Sequence, residues 1–456
     1  MTGTARFPDH LDDRQRTAVE RAMVRWRGLH PPPGWLRPGE AEGATPPAGK
    51  GADPQVAVVD VELIAPGRPG VLDVVAEVDG RLAHAVFGLR SPGDDLHLVG
   101  SVEEPALGVV EDDEGLAVLV DAMHEAGAAR ELLDAVAGTA PRRHRDTAAR
   151  EPAGSVVTLV GDDVEATVLG FDRRWTLSVF PWLRRGPNPA VTFLAGLDEA
   201  GFNHLPAPIA IWRRAGRDLG VVQELLAGAA GGWALALTSL RDLFAAGVTP
   251  DTAGGDFGPE ARALGTMAAR MHIALDRAFG RRSGSVAAWA EEAARRMPPG
   301  AGATGAGPVH EALRALGRLR IDAPTIRTHG DLHLGRTART DHGWVLADCM
   351  PGGTEPGSAD PVYRSPLADV ADLSWSMRRA ATVAAFERGP VTEPSRTTEL
   401  AEAWAARNRG AFLATYLSTP GIEALLPADR EVVRQLVTVL EAARTARSAA
   451  AFGPAA

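Results

Sequence analysis

Lysine is almost absent from this chain of 456 residues, in which Lys50 is the only one. It lies in the stretch EGATPPAGKGADP, whose Gly, Pro and Ala content is typical of a linker. A mechanism that needs a lysine ammonium on a strand, or a Gly-Lys-Ser/Thr loop that binds phosphate, has no residue to use here. The sequence therefore excludes nucleotide binding of the P-loop type and any site built on a positioned lysine.

Cysteine and aromatic residues are also scarce. The single cysteine, Cys349, excludes an intramolecular disulfide and a metal site with several cysteine ligands. The 12 histidines are scattered without HExxH or comparable spacing, so histidine spacing predicts no metal site either. With 5% aromatic residues, a net charge of -10 and no dense basic run, the chain is not expected to bind nucleic acid or an anionic membrane surface.

Long apolar runs are missing as well. The longest uncharged apolar stretch, residues 225–237, is too short to span a membrane. The amino-terminal stretch MTGTARFPDHLDDRQR is charged and has no apolar core, so no signal peptide is predicted. We therefore expect a soluble, cytoplasmic protein. Its 45% hydrophobic residues are enough for a large core divided over two or three domains.

Residues with chemical potential concentrate in the stretch 328–349, THGDLHLGRTARTDHGWVLADC. A short His-Gly-Asp loop ends at Asp331, and two strand-like runs follow at residues 337–339 and 344–347. The Asp-His-Gly sequence between the runs favours a tight turn, so a hairpin is predicted that ends at Asp348. Two carboxylates are thereby brought to one edge of a hairpin.

Phosphoryl transfer uses such a pair, because one Asp accepts the proton of the attacking hydroxyl and the other holds the magnesium that neutralises the nucleotide phosphates. The stretch resembles the catalytic loop and metal-binding strand of the aminoglycoside-phosphotransferase-like kinases. Among these it resembles the bacterial maltokinases and glucosamine kinases, in which HGD-x-HLGQ precedes Asp-Phe-Glu-Gly. The resemblance implies that Asp331 and His333 are catalytic and that Asp348 binds magnesium. For an active enzyme it implies ATP and Mg2+ as cofactors and a sugar or aminosugar as substrate.

The rest of the chain fits the same resemblance, which implies an α+β, bilobal protein-kinase-like fold. Residues 1–54 are predicted as an amphipathic helix and a Pro/Gly linker, and residues 55–150 as an amino-terminal cap of antiparallel strands with a helix over residues 115–138. Residues 151–225 resemble the remainder of the β-rich nucleotide lobe. Residues 226–456 are predicted as a helical carboxy-terminal lobe that carries the hairpin.

Several positions depart from the family pattern. In the segment WTLSVFPWLRRGPNPAVTFLAGLDEAGFNHLP, Ser178 stands where the kinases carry a strand lysine and Thr192 where they carry its glutamate partner. Arg336 replaces the Gln of HLGQ, and a guanidinium has donors only, so it does not bind a divalent cation. The stretch Asp348-Cys349-Met350-Pro351 replaces Asp-Phe-Glu-Gly. The resemblance still implies nucleotide contacts at Ser178, Arg336 and Gln223.

A stripe of side chains repeats every four residues within the predicted helix 399–418. Such a stripe is more often part of a core than of a binding site. The family, however, has a similar helix near its sugar site, which implies substrate contact at Trp404, Asn408, Arg409 and Tyr416.

Two functions from different classes remain open. In the first, the chain is an ATP-dependent sugar or aminosugar kinase whose arginines take unusual roles. In the second, it is a pseudokinase, a binding or regulatory module with little or no phosphoryl transfer, no required cofactor and a role that allows a protein partner. The retained carboxylates and His333 favour the first. The three replaced positions favour the second, since each lost electrostatic contact in such a site costs about 10²–10³ in rate.

Overall fold

The structure is a computed structural model that describes residues 11–31, 55–100, 106–138, 156–162, 165–184, 186–253, 256–295, 297, 307–347, 363–388 and 396–452. The described residues group into two compact units. The first takes its residues from Met1–Thr192 and Ala207–Ala227, and the second from Phe193–Pro206, Gly228–Thr354 and Asp360–Ala456.

The first unit begins with a helix and an antiparallel sheet of five strands in the order β1-β2-β3-β5-β4. Helix α1 buries Val19, Met23 and Trp26, because apolar residues three and four apart share one face of a helix. The predicted helix and the first three predicted strands are confirmed. The bounds are α1 (Asp13–Leu29), β1 (Val56–Ala65), β2 (Gly70–Val78), β3 (Arg81–Arg90), β4 (Ala106–Asp112), β5 (Gly115–Asp121) and α2 (Ala126–Gly138).

The predicted helix over residues 115–138 is wrong in its first part. Its first seven residues, GLAVLVD, form strand β5, and helix α2 starts only at Ala126. Strand β5 pairs with β3 on one side and β4 on the other. A short apolar run fits a buried strand as well as a helix, and here the pairing with two neighbours decides the outcome.

A second five-stranded antiparallel sheet in the same unit has the order β6-β7-β8-β10-β9. Strand β8 is the central one, and its Ser178 pairs with Val168 on β7 and Val221 on β10. The β-rich character expected for residues 151–225 is present. The bounds are β6 (Val157–Asp162), β7 (Thr167–Phe171), β8 (Trp175–Val179), α3 (Pro189–Glu199), β9 (Pro208–Arg214) and β10 (Arg217–Glu224).

The second unit is mainly helical, as predicted, and carries two small sheets. Its helices are α4 (Gly232–Ala246), α5 (Gly258–Phe279), α6 (Val286–Arg295), α7 (Gly307–Gly317), α8 (Leu367–Phe386), α9 (Arg396–Ser418) and α10 (Arg430–Phe452). Its strands are β11 (Ala230–Gly231), β12 (Arg281–Ser285), β13 (Asp322–Arg327), β14 (Thr337–Thr340), β15 (Gly343–Leu346) and β16 (Tyr363–Arg364). The class is therefore α+β.

Helices α5 and α9 pack closely at the centre of the second unit. A Cβ atom on Gly265 of α5 would lie 2.4 Å from the backbone oxygen of Phe412 on α9, so this crossing needs glycine. Met267, Met271 and Leu275 of α5 are buried core residues. No helix in the described part of the chain is long and apolar enough to cross a membrane.

Candidate active site

The predicted hairpin is present in the second unit. Strands β14 and β15 pair antiparallel from Thr337 opposite Leu346 to Thr340 opposite Gly343. Gly343 has φ of +126°, a backbone conformation that favours glycine at this turn. Asp348, the predicted magnesium ligand, follows this hairpin but lies outside the described residues, so its role stays a prediction.

The carboxylate of Asp369, on helix α8, binds the backbone of the His-Gly-Asp loop. The backbone N–H of His329 donates to its Oδ2 and that of Gly330 to its Oδ1, both at 2.8 Å. Gly330 has φ of +81°, the left-handed conformation in which glycine carries no steric penalty. Binding of two loop amides is a role that the sequence did not indicate.

One face of helix α8 supplies three polar side chains to this region, because positions 369, 372 and 376 lie three and four residues apart. Below Asp369, the carboxylate of Asp372 lies 3.3 Å from the Nε of Arg444. Ser376 accepts a hydrogen bond from the backbone N–H of Leu334 at 3.1 Å. All three side chains of this face are buried, so helix and loop form one packed unit.

A buried chain of hydrogen bonds continues behind Asp369. Nε2 of His272 lies 3.1 Å from Oδ2 of Asp369, and Nδ1 of His272 lies 2.9 Å from the hydroxyl of Tyr416. The pKa of Asp369 is lowered: burial alone would raise it, but the hydrogen bond and charge of His272 and the hydrogen bond from the backbone N–H of Gly330 outweigh burial. An ionised Asp369 only accepts hydrogen bonds, so Nε2 of His272 is the donor in this contact.

His329 itself is fully buried and neutral. Burial lowers its pKa to about 4, against the opposing charge of Asp369. Its Nδ1 accepts the backbone N–H of Asp331 at 3.4 Å, and its ring meets that of Phe193 edge-on at 5.8 Å. His329 is therefore a scaffold of the loop, while the neighbouring carboxylate of Asp331 is part exposed.

Asp331 lies among three cationic or potentially cationic side chains. Its Oδ1 is 3.1 Å from Nη2 of Arg444, and its Oδ2 is 3.6 Å from both Nη2 of Arg336 and Nε2 of His333. Burial alone would raise the pKa of Asp331, but the hydrogen bond and charge of His333, followed by the charges of Arg444 and Arg336, lower it. The predicted pair Asp331 and His333 is thus brought together, with two arginines added.

Arg444 reaches Asp331 from helix α10, near the end of the described chain. Its guanidinium also contacts Asp372 and lies over the ring of Trp375 at 4.6 Å. Three contacts hold this side chain in one place, and 18% of it is exposed. The sequence analysis missed Arg444, because the final helix resembled no family motif and one arginine within LEAARTARSAA carries no signal of its own.

The positions predicted to contact nucleotide lie in different parts of the chain. Ser178 and Gln223 lie on paired strands β8 and β10 of the first unit, in half-buried positions. The hydroxyl of Thr192 donates to the backbone oxygen of Asn188 in its own helix at 2.9 Å. Arg336 lies in the second unit, in the short 3₁₀ turn Leu334–Arg336. The structure thus keeps Ser178 on a central strand and directs Arg336 toward Asp331.

The stripe on helix α9 faces the core, as such stripes usually do. Trp404, Asn408 and Tyr416 are buried; Trp404 donates to Ser239 at 3.0 Å and Asn408 to the backbone oxygen of Trp404 at 2.9 Å. Arg409 is part exposed and pairs with Glu441 of α10 at 2.7 Å. Substrate contact at these four residues stays a prediction, and only Arg409 among them presents exposed side-chain surface here.

Solved structures of glucosamine kinase resemble this chain over nearly its whole length. No model of a known protein family matches the sequence. A solved structure of a glucosamine kinase with glucosamine, ADP and inorganic phosphate aligns over 94% of this chain and 95% of its own, with a TM-score of 0.60 and 21% identity. A second crystal form of a glucosamine kinase aligns over 97% and 96%, with the same TM-score and identity. The chain therefore has the fold of these glucosamine kinase structures.

Proposed function

We propose that this protein is a pseudokinase with a sugar-kinase fold, a binding or regulatory module with little or no phosphoryl transfer. The observation that carries the proposal is the pair of guanidinium groups, from Arg336 and Arg444, that flank the carboxylate of Asp331. In a kinase of this fold, that carboxylate has to accept a hydroxyl proton. Here it is already engaged by two permanent cations.

The charge of these arginines opposes catalysis in two ways. A general base works best with a pKa near the working pH, and Asp331 has its pKa shifted the other way, below its ordinary value. Arg336 also stands where the resemblance implies a neutral metal ligand, and a guanidinium offers no lone pair to magnesium. The described residues at this position therefore do not fit a Mg2+ ion.

The proposal that nucleotide binds poorly depends on the absence of a lysine ammonium at position 178. Ser178 occupies the central strand on which these kinases hold a lysine, and the only lysine of the chain is Lys50. Thr192, in place of the paired glutamate, uses its hydroxyl within its own helix. Loss of both members of an ion pair leaves no unpaired buried charge, so the fold tolerates it.

The same fold supports a small sugar or aminosugar as the ligand and, for a pseudokinase, a protein partner that responds to it. Nucleic acid and membrane are not part of the proposal, and the expected compartment is the cytoplasm. ATP and Mg2+ are not required in this reading.

A second candidate, an active ATP-dependent aminosugar kinase, is favoured by one observation. The loop that holds Asp331 is fully supported by Asp369 and Ser376, and the carboxylate of Asp331 is ionised, as a base must be. In this alternative Asp331 is the base and Asp348 the magnesium ligand.

Product assays separate the two candidates. ADP release from Mg·ATP is measured with glucosamine, glucose and maltose, for the natural chain and for a triple variant, Ser178→Lys, Thr192→Glu and Arg336→Gln. The proposal predicts background release by the natural chain and a measurable gain in the triple variant, which an added Asp331→Asn change removes. Turnover by the natural chain in the ordinary range of about 1–10³ s⁻¹, abolished by Asp331→Asn, would establish the active kinase instead.

A further inference from the structure

Two histidines and an aspartate lie close together in the first unit. The loop at Asp331 belongs to the second unit. His30 directly follows helix α1, Asp121 ends strand β5, and His124 lies in the turn between β5 and α2. Their exposed fractions are 6%, 1% and 4%. One ligand atom of each lies within 4.8 Å of those of the other two, the one such group of three found among the described residues.

The surrounding contacts orient all three side chains. Nε2 of His30 lies 2.9 Å from Oδ2 of Asp121, whose Oδ1 accepts the backbone N–H of Met123 at 2.9 Å. Nδ1 of His124 lies 3.2 Å from the backbone oxygen of Val99, so it is the donor nitrogen. A histidine held through one nitrogen by a backbone carbonyl presents the other nitrogen as a metal ligand, which is the usual arrangement in metal sites.

We propose that His30, Asp121 and His124 form a binding site for a divalent transition-metal ion of the Zn2+ class. Two imidazole nitrogens and one carboxylate oxygen are a donor set for Zn2+ with a fourth position left for water. Zn–N and Zn–O bonds of about 2.0–2.2 Å place tetrahedral ligand atoms about 3.4 Å from one another. The His30–Asp121 contact of 2.9 Å is shorter than this separation and the limit of 4.8 Å is longer, so ligation needs only small side-chain shifts.

The position of His30 adds an electrostatic reason. It follows the last turn of helix α1, where the unpaired backbone carbonyls carry partial negative charge and stabilise a cation. Its ring also stacks on Trp26 at 4.6 Å, which fixes its plane.

Two other buried His–carboxylate pairs among the described residues differ from this one. His84 with Asp73 and His272 with Asp369 are also close, but their carboxylates are engaged by Arg214 and by the loop amides respectively. Within the described residues, only the pair at His30 has a second histidine as third ligand. A bound ion would tie the end of α1 to the β5–α2 turn, two segments about 90 residues apart.

The test uses the full-length, tag-free protein stripped with chelator and titrated with Zn2+ or Co2+ alone. We expect one tight equivalent of Zn2+, a raised melting temperature, two imidazole ligands by X-ray absorption, and visible absorption from Co2+ in a low-symmetry site. His124→Gln and Asp121→Asn should each weaken Zn2+ binding at least tenfold. His97→Gln removes an exposed imidazole from the neighbouring loop and should change nothing.

Two results would overturn the site. One is a natural chain that takes up no equivalent of Zn2+ and shows no Co2+ absorption after stripping. The other is equal binding by the natural chain and by His124→Gln with its circular dichroism intact. If a variant does not fold, the stoichiometry and spectra of the natural chain still decide the question.

Discussion

Nη2 of Arg444 lies 3.1 Å from Oδ1 of Asp331, although 113 residues separate the two in the chain. The contact brings the last helix to the loop that a kinase of this fold uses for proton abstraction. Because Arg336 approaches the other oxygen of the same carboxylate, Asp331 is held as an ion-pair partner. This arrangement ties the loop to helix α10, and under the proposed function it makes Asp331 a poor base.

The first prediction concerns the ion pair between Arg444 and Asp372. The side chain of Arg444 is 18% exposed and that of Asp372 is 7% exposed. Arg444→Met leaves the carboxylate of Asp372 largely buried without this cation, which should lower the free energy of unfolding by roughly 1–3 kcal/mol. Urea denaturation measures the change. The double variant Arg444→Met, Asp372→Asn should recover most of the loss, and Arg434→Met, an exposed change on the same helix, should cost under about 0.5 kcal/mol. Equal losses in the double and single variants would contradict the pairing.

The second prediction concerns Asp369. Its two carboxylate oxygens accept hydrogen bonds from the backbone N–H groups of His329 and Gly330, and Oδ2 also contacts His272. In Asp369→Asn one oxygen becomes an NH2 group that faces a donor, so the loop loses an acceptor inside the protein. The free energy of unfolding should fall by roughly 3 kcal/mol, as for other broken buried ion pairs. Asp242→Asn on the exposed side of α4 is the matched control, with no resolvable effect expected. Slow hydrogen exchange at His329 and Gly330 that persists unchanged in Asp369→Asn would speak against this role.

The third prediction is a pH dependence from His329. Its pKa is about 4 in the folded protein, against 6.5 as its ordinary value. Between these pH values the unfolded chain binds a proton that the folded protein does not bind, so the free energy of unfolding falls as the pH is lowered from 6.5 toward 4. The loss attributable to His329 should total roughly 3 kcal/mol over this window.

Urea denaturation at pH 7.0 and pH 4.5 measures this dependence. His329→Gln removes the titrating group, so its difference between the two pH values should be smaller than that of the natural chain. His342→Gln, at an exposed position in the hairpin turn, should keep the full difference. The same slope in His329→Gln and in the natural chain would show that another group is responsible.

The fold was largely predictable because its signals are local. Hydrophobic spacing predicted helix α1, and the Asp-His-Gly turn predicted the β14–β15 hairpin. The run GLAVLVD was misjudged as helix, because a buried strand with neighbours on both sides has no alternating pattern to distinguish it.

The candidate site was predictable only where it follows a contiguous motif. The His-Gly-Asp loop identified Asp331 and His333, and the replaced Gln identified Arg336. Arg444 could not be found in this way, because its partner lies 113 residues earlier. The same holds for His30 and His124, which have no metal-ligand spacing along the chain and come together only through the sheet.

The spacing of the stripe on α9 fits both a core helix and the sugar-site helix of the family, and substrate contact at its residues stays a prediction. Its four-residue spacing resembled a sugar-binding helix, yet the same spacing is what packs a helix into a core. Trp404 and Tyr416 are buried and spend their polar atoms on Ser239 and His272. The spacing predicted which residues share one face of the helix, but it did not predict which residues this face contacts.

Thermal unfolding with and without Mg·ATP tests the central claim most directly, namely that a site without its lysine and with two guanidiniums at Asp331 does not support nucleotide use. At millimolar Mg·ATP we predict a melting temperature that does not differ from that of the protein in magnesium alone. Stabilisation of about 2.7 kcal/mol, as expected when the nucleotide is present at 100 times its Kd, would contradict the account.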